Sequence, residues 1–322
     1  EIMPSLVGSE MCIRDRFIIA DRAGVVSDLV FNNPGQYHGI YVIIGVLAYC
    51  AQLYGDFAGG IDMVMGASEM FGIHLDDNFR QPFFSHSIGE FWRRWHISLS
   101  SWLRDYIYIP LGGGRKGLAV RQRNILLVFL ISGLWHGGAL QFLAWGLLHG
   151  AGQVVQDFYK KAKQAVFGEA KIGLEKLRHM LSVLLTFFTV MCFWIFFRSE
   201  SVSMAVICLK NMFTRWNGFL YWRQFLFTMG LEKTQFFIAV AGIAVLFGID
   251  LISEKKKQEP AVWIYRMPLP VRWAICLFLI GAVLGDFTET IFCRLTAGVW
   301  MSRSSLVWGP FSIVWGLSLI HI

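Results

Sequence analysis

Ile125-Leu-Leu-Val-Phe-Leu-Ile-Ser-Gly-Leu-Trp-His136-Gly-Gly-Ala-Leu-Gln-Phe-Leu-Ala-Trp145 is apolar almost throughout, yet it carries one ionisable side chain, His136. Such a group in hydrocarbon costs about 2.5 kcal/mol or more unless it is paired or used. Imidazole is also the side chain best suited to move a proton near neutral pH. The position points to chemistry at membrane depth. The plainer alternative is a structural histidine bonded to a backbone carbonyl where a helix breaks.

The flanks of this run set its topology. Arg115, Lys116, Arg121 and Arg123 precede it, and Lys160, Lys161, Lys163, Lys171, Lys176 and Arg178 follow. Basic loops on both sides place both ends in the cytoplasm. The apolar segment 124–155 is longer than the roughly 20 residues one crossing needs. Gly133, Gly137, Gly138, Gly146 and Gly150 interrupt it. These features predict a re-entrant or paired broken-helix unit, with its irregular backbone shielded by protein.

Further out, residues 39–54 have most of the length of a span, and 63–75 form a shorter apolar piece. Asp56 and Asp62 lie among small residues in Gln52-Leu-Tyr-Gly-Asp-Phe-Ala-Gly-Gly-Ile-Asp62. They would pair with arginines or mark an ion path. Residues 76–95 form a polar connection ending in Phe91-Trp-Arg-Arg-Trp95, a mixture suited to a headgroup interface. The amphipathic stretch 97–111, with Arg104 and Asp105, is too polar to face lipid and ends at Pro110 and Gly112-Gly-Gly114. Residues 180–197, 234–252 and 270–284 are read as successive crossings. The whole is an all-α polytopic membrane protein with six to eight hydrophobic elements.

Composition agrees: 55% of residues are hydrophobic and 16% charged, against about 25% charged in soluble domains. The net charge of +7 sits in clusters between apolar runs, so it reflects membrane topology rather than nucleic-acid binding. Six cysteines show no CxxC spacing and read as small buried hydrophobes.

Three histidines are candidates for chemistry. His136 leads. His96 follows the Trp-Arg-Arg-Trp run and reads as a partner or as an interfacial residue. His149 lies in the same broken unit and reads as catalytic support or packing. Their spacing is not that of a short zinc motif such as HxxxH, so no metal is expected. Arg93, Arg94 and Arg104 would hold an anionic phosphate or carboxylate, or anchor lipid headgroups. Leu111-Gly-Gly-Gly-Arg-Lys-Gly117 lacks P-loop spacing, and no GxSxG occurs.

The runs Gln52-Leu-Tyr-Gly-Asp-Phe-Ala-Gly-Gly-Ile-Asp-Met63, Phe91-Trp-Arg-Arg-Trp-His-Ile-Ser-Leu-Ser-Ser-Trp-Leu-Arg-Asp-Tyr-Ile-Tyr-Ile-Pro-Leu-Gly-Gly113, Gly133-Leu-Trp-His-Gly137 and Trp145-Gly-Leu-Leu-His-Gly150 resemble the membrane-bound O-acyltransferase family. The resemblance is to its bacterial alginate O-acetyltransferase branch, dense from 41 to 150 and thin afterwards. It departs at Gly55-Asp-Phe-Ala-Gly-Gly60, where the family more often has Phe-Asp-Phe-Ser-Gly-Tyr.

The resemblance implies that His136 is the catalytic histidine and that His96 takes the place of a polar partner. His149 would be a third recurrent histidine, with Arg94, Arg104, Asp105 and Asp56 in supporting roles. It implies a multi-pass protein of the bacterial inner membrane. The acyl donor would be acetyl-CoA or an acyl-carrier thioester, with no bound cofactor. The acceptor would be a polysaccharide, reached directly or through periplasmic relay proteins. Rival readings are a transporter or scaffold without chemistry, and a lipid or protein acyltransferase.

Family members carry more helices before the Gln52 region. Residues 1–16 lack the basic start and long apolar stretch of a signal peptide, and 317–322 end without a polar terminus, so both read as a non-native leader and tail. The helices that family members carry further upstream support the reading of an N-terminally truncated fragment. Between them a single membrane domain is expected over 17–316, with its motif core at 41–155 and C-terminal helices at 180–316.

Overall fold

The computed structural model describes residues 19–167, 175–216, 230–231, 233–258, 262 and 266–273. The expected leader and tail, and nearly all of the crossing at 270–284, lie outside them. In chain order the helices are α1 (Asp21–Phe31), α2 (Ile40–Met70), α3 (Ile88–Arg94), α4 (Ile97–Leu103), α5 (Leu118–His136), α6 (Leu140–Phe167), α7 (Glu175–Arg198), α8 (Val202–Met212) and α9 (Lys233–Lys256). A π-helical turn, Arg104–Tyr108, extends α4. Among the described residues the only strand-like pairing is an isolated antiparallel bridge between Phe79 and Trp95. The protein is an all-α polytopic membrane protein. Among the described residues four helices, α2, α5, α7 and α9, are long and apolar enough to cross a bilayer.

The chain forms two compact units. One comprises Glu1–Val26, Ala48–Asp76 and Phe227–Ile322; the other comprises Ser27–Leu47 and Asp77–Leu226. In the first, Tyr54 donates a hydrogen bond to Asp250 at 3.0 Å, and both residues are buried. Nothing in the sequence marks this buried carboxylate or its partner. Asp250 sits in an apolar run, and only tertiary contact brings Tyr54 to it.

The second unit is organised around α5 and α6, which fold back on each other as an antiparallel hairpin. Glycine makes their close contact possible. A Cβ on Gly133 would lie 2.4 Å from the Phe142 carbonyl oxygen, and one on Gly146 would lie 2.2 Å from that of Phe129. Gly150 faces Leu126 and Phe129. Farther from the tip, Arg121 pairs with Asp157 at 2.8 Å. The tip is the break at Gly137, whose φ of +154° and place against the Phe142 ring exclude a side chain. A helical pair is present, but it breaks only around Gly137: Gly133, Gly146 and Gly150 lie inside continuous helices as contact points and do not interrupt them. Gly133-x-x-x-Gly137 and Gly146-x-x-x-Gly150 have the spacing that lets helices approach in lipid.

Two further expectations are revised. The apolar pieces 39–54 and 63–75 do not form separate elements: one continuous helix, α2, runs through the first and into the second, ending at Met70. Its glycines and aspartates do not break it, because an α-helix satisfies its own backbone hydrogen bonds in lipid. The aromatics of the Phe91-Trp-Arg-Arg-Trp95 run also do not anchor at an interface. Phe91, Trp92 and Trp95 are 1%, 7% and 2% exposed, and they form core. Helix α3 turns its aromatic side inward and leaves Arg93 exposed.

The start of α3 is well capped. The Ser87 hydroxyl accepts the Glu90 N–H, and Glu90 accepts the His86 N–H and pairs with Arg94 at 2.7 Å. Burial pushes the Glu90 carboxyl up. The His86 N–H, Arg94 and the His86 ring outweigh it and hold the group below its ordinary value. Helix α5 is tied to the preceding glycine loop by Asn124, whose buried amide donates to the carbonyls of Leu111 and Gly113.

Candidate active site

His136 is the last residue of α5, at the hairpin tip, and it is half-buried. Its ring meets those of Trp135, Trp145 and Phe197 edge-on, with centroids 4.8, 5.1 and 5.0 Å away. Three aromatic walls fix the plane of the imidazole. Among the described residues no hydrogen bond ties it to a backbone carbonyl, as the structural alternative would require.

His96 is brought towards it by a different route. It stands between α3 and α4 with a left-handed φ of +46°, 4% exposed. Its ring lies edge-on to Trp135 at 6.1 Å, and Trp135 in turn meets His136. Nδ1 of His96 faces Asn78 Oδ1 and Ser98 Oγ, each at 3.4 Å. His96 lies outside the four apolar spans. Burial, and then the charge of His136, pushes its ordinary value of 6.5 down to about 3.

The sign of this shift sets a pH prediction. Below the unfolded value of 6.5 the unfolded chain takes up a proton that the folded chain refuses until about 3. Stability therefore falls with acidification through that window and is unaffected above it. His96→Asn, which tolerates the left-handed backbone, should lose less stability than the parent between about pH 7 and about pH 4. Thermal midpoints in detergent measure this; parallel pH curves would refute it.

His149 is fully buried on α6, surrounded by Phe91, Trp92, Phe129, Trp145, Phe193 and Trp194. Trp92 Nε1–H donates to its Nδ1 at 3.1 Å. Indole nitrogen only donates, so His149 carries its proton on Nε2. That atom, Trp145 Nε1 and Trp194 Nε1 are buried donors with no acceptor among the described residues. His149 thus supports the aromatic core around His136. Trp92→Phe takes the donor away from a buried nitrogen and should cost about 1–3 kcal/mol. The check is a lowered thermal midpoint, with Phe91→Leu as the packing control.

The remaining candidates separate. Arg94 is ion-paired to Glu90 and donates to the Gln81 carbonyl, so it braces the connection before α3. Arg104 and Asp105 are exposed and grip each other at 2.8 and 3.1 Å. Asp56 is half-buried on the part of α2 that belongs to the first unit.

A cavity of about 550 Å³ opens between α3, α4, α5 and α6. Arg93, Arg104, Arg121 and Lys160 give it a basic wall. His136 does not line it, but Ser132, one helical turn earlier on α5, does. Among the described residues no group of three or more His, Cys, Asp or Glu could hold a metal ion.

These features define a polytopic membrane protein with a histidine set at the tip of a helical hairpin, beside a basic cavity. Residues 29–171 match the model of the membrane-bound O-acyltransferase family. The chain belongs to that family, in its alginate O-acetylase-like branch. It is 37% identical over 248 residues to a probable alginate O-acetylase of Pseudomonas syringae pv. tomato, covering 76% of this chain and 45% of the relative. It is 39% identical over 198 residues to a peptidoglycan O-acetyltransferase of Helicobacter pylori, covering 61% and 36%. It is 33% identical over 141 residues to a teichoic acid D-alanyltransferase of Bacillus subtilis, covering 41% and 36%. The chain spans about half the length of curated relatives it matches, 45% and 50% for two probable alginate O-acetylases.

Proposed function

We propose that this chain carries the reaction centre of a bacterial inner-membrane O-acyltransferase. It passes an acyl group, acetyl in the simplest case, from a cytoplasmic thioester to hydroxyls of an extracytoplasmic polysaccharide. The donor is acetyl-CoA or an acyl-carrier thioester, and the acceptor is met directly or through a periplasmic relay. The observation that carries this reading is His136, held by three rings at the tip of a hairpin within the region matching the family model. The named activities of its relatives support the reaction class.

An acceptor hydroxyl is a weak nucleophile until a base takes its proton. Neutral His136 takes that proton while the oxygen attacks the thioester carbonyl. The tetrahedral intermediate expels the thiolate, which recovers the proton from the imidazolium, so the histidine ends as it began. The basic wall of the cavity suits the phosphates of the donor, with Arg93 on α3 and Arg104 just after α4.

The test is acyl transfer by the purified full-length protein, supplied with a labelled thioester and a polysaccharide acceptor. An enzyme labels the acceptor. A transporter or scaffold moves material and leaves it unlabelled, which would overturn the reading.

A further inference from the structure

We propose that Asn78, together with Ser98, is a positioning residue that holds His96 as the Nδ1–H tautomer, with its lone pair on Nε2.

The backbone N–H of Ser98 can only donate, and it lies 3.0 Å from Asn78 Oδ1. The atom facing it is therefore the amide oxygen, which settles the orientation of the Asn78 side chain. The Ser98 hydroxyl also lies 3.0 Å from that oxygen. An amide oxygen only accepts, so the hydroxyl spends its single proton there. What Ser98 Oγ presents to His96 is then a lone pair.

His96 Nδ1 consequently faces two acceptors, Asn78 Oδ1 and Ser98 Oγ, each at 3.4 Å. A lone pair on Nδ1 would be repelled by both oxygens, whereas a proton is shared between them. The neutral ring carries one proton, so Nε2 holds the lone pair.

The surroundings keep this arrangement in place. Asn78 is 6% exposed, and its own carbonyl accepts the Ile97 N–H at 3.0 Å. The Arg80 N–H donates to the Arg94 carbonyl at 2.9 Å, beside the Phe79–Trp95 bridge. Main-chain bonds thus hold Asn78 against the turn that carries His96. The ring is neutral because it is buried.

The tautomer chooses between two roles for His96. A donor to a developing oxyanion needs an N–H to offer the substrate, and here the N–H is occupied by Asn78 and Ser98. A lone pair on Nε2 instead accepts an N–H, which is what orienting a second imidazole requires. His96 is then not the donor to the oxyanion, and the Trp135 ring, which meets both imidazoles, is what links it to His136. This second step rests on the acyl-transfer reading; the tautomer does not.

The full-length protein with ¹⁵N-labelled histidine, in detergent or bilayers, provides the test. His96 is assigned from His96→Asn, whose side chain tolerates the left-handed backbone. The expected spectrum shows a pyrrole-type Nδ1 and a pyridine-type Nε2. The reverse pattern, or an exchange average of both, overturns the proposal, and this measurement needs no Asn78 variant to fold.

Asn78→Leu removes the acceptor and should let the Nε2–H form appear, whereas Asn78→Asp keeps an acceptor and should keep the proton on Nδ1. An unchanged spectrum in folded Asn78→Leu would show that Asn78 does not set the tautomer. In the transfer assay Asn78→Leu should lower kcat at least about tenfold with KM unchanged, the pattern of a wrongly protonated imidazole. If the parent protein transfers no acyl group, the functional reading fails while the spectrum still decides the tautomer.

Discussion

Gly146→Ala should pry the α5–α6 hairpin apart. The added Cβ would lie 2.2 Å from the carbonyl oxygen of Phe129, 3.1 Å from its carbon and 3.3 Å from the Gly133 nitrogen. All three atoms are backbone, so no side-chain rotation relieves the clash, and a whole helix must move. Overpacking of this kind costs about 3 kcal/mol when the neighbour cannot yield. Gly133→Ala meets the Phe142 carbonyl at 2.4 Å and should behave alike. Gly138→Ala, only a few residues along the same chain, has nothing within 4 Å and should change stability by about 0.5 kcal/mol or less. Thermal midpoints of the purified variants separate the two classes. Equal midpoints for Gly146→Ala and Gly138→Ala would mean that the hairpin is not packed as described.

His136→Gln carries the second large effect. Glutamine keeps a polar side chain of similar size in the box formed by Trp135, Trp145 and Phe197, so folding should be retained. It cannot take a proton from a hydroxyl. Loss of a general base lowers turnover by about 10²- to 10⁴-fold. The rate of acyl transfer should fall by that factor, with expression level and thermal midpoint unchanged. A variant within about threefold of the parent would remove His136 from the chemistry and return it to a structural role. His149→Leu should behave differently. It strips the acceptor from the buried Trp92 Nε1–H, so its loss of activity should come with a loss of stability.

The hairpin was legible because its signals are local and strong. Basic clusters flank an apolar run too long for one crossing, and glycines interrupt it. The candidate histidines were legible because an ionisable group in an apolar run is costly to keep unless it is paired or used. Asn78 was not. It is a polar residue in a polar connection, and nothing in its neighbourhood distinguishes it from a solvated loop residue. Trp92 was read as an interfacial aromatic for a similar reason: composition cannot say which way a ring turns. The glycine spacing was present in the sequence, but it takes two facing backbones to show that Gly133 and Gly146 are contacts and Gly138 is not.

The sequence by itself determined the class of protein, the helical character of its spans, the broken pair around His136 and the family. All of these follow from hydropathy, charge placement and contiguous motifs, which are properties of the chain in order. The tertiary structure decided which polar groups meet. Asn78 and Ser98 reach His96, Trp92 reaches His149, and Tyr54 reaches Asp250. A hydrogen bond depends on distance and direction in space, and partners far apart in the chain leave no periodic trace of one another.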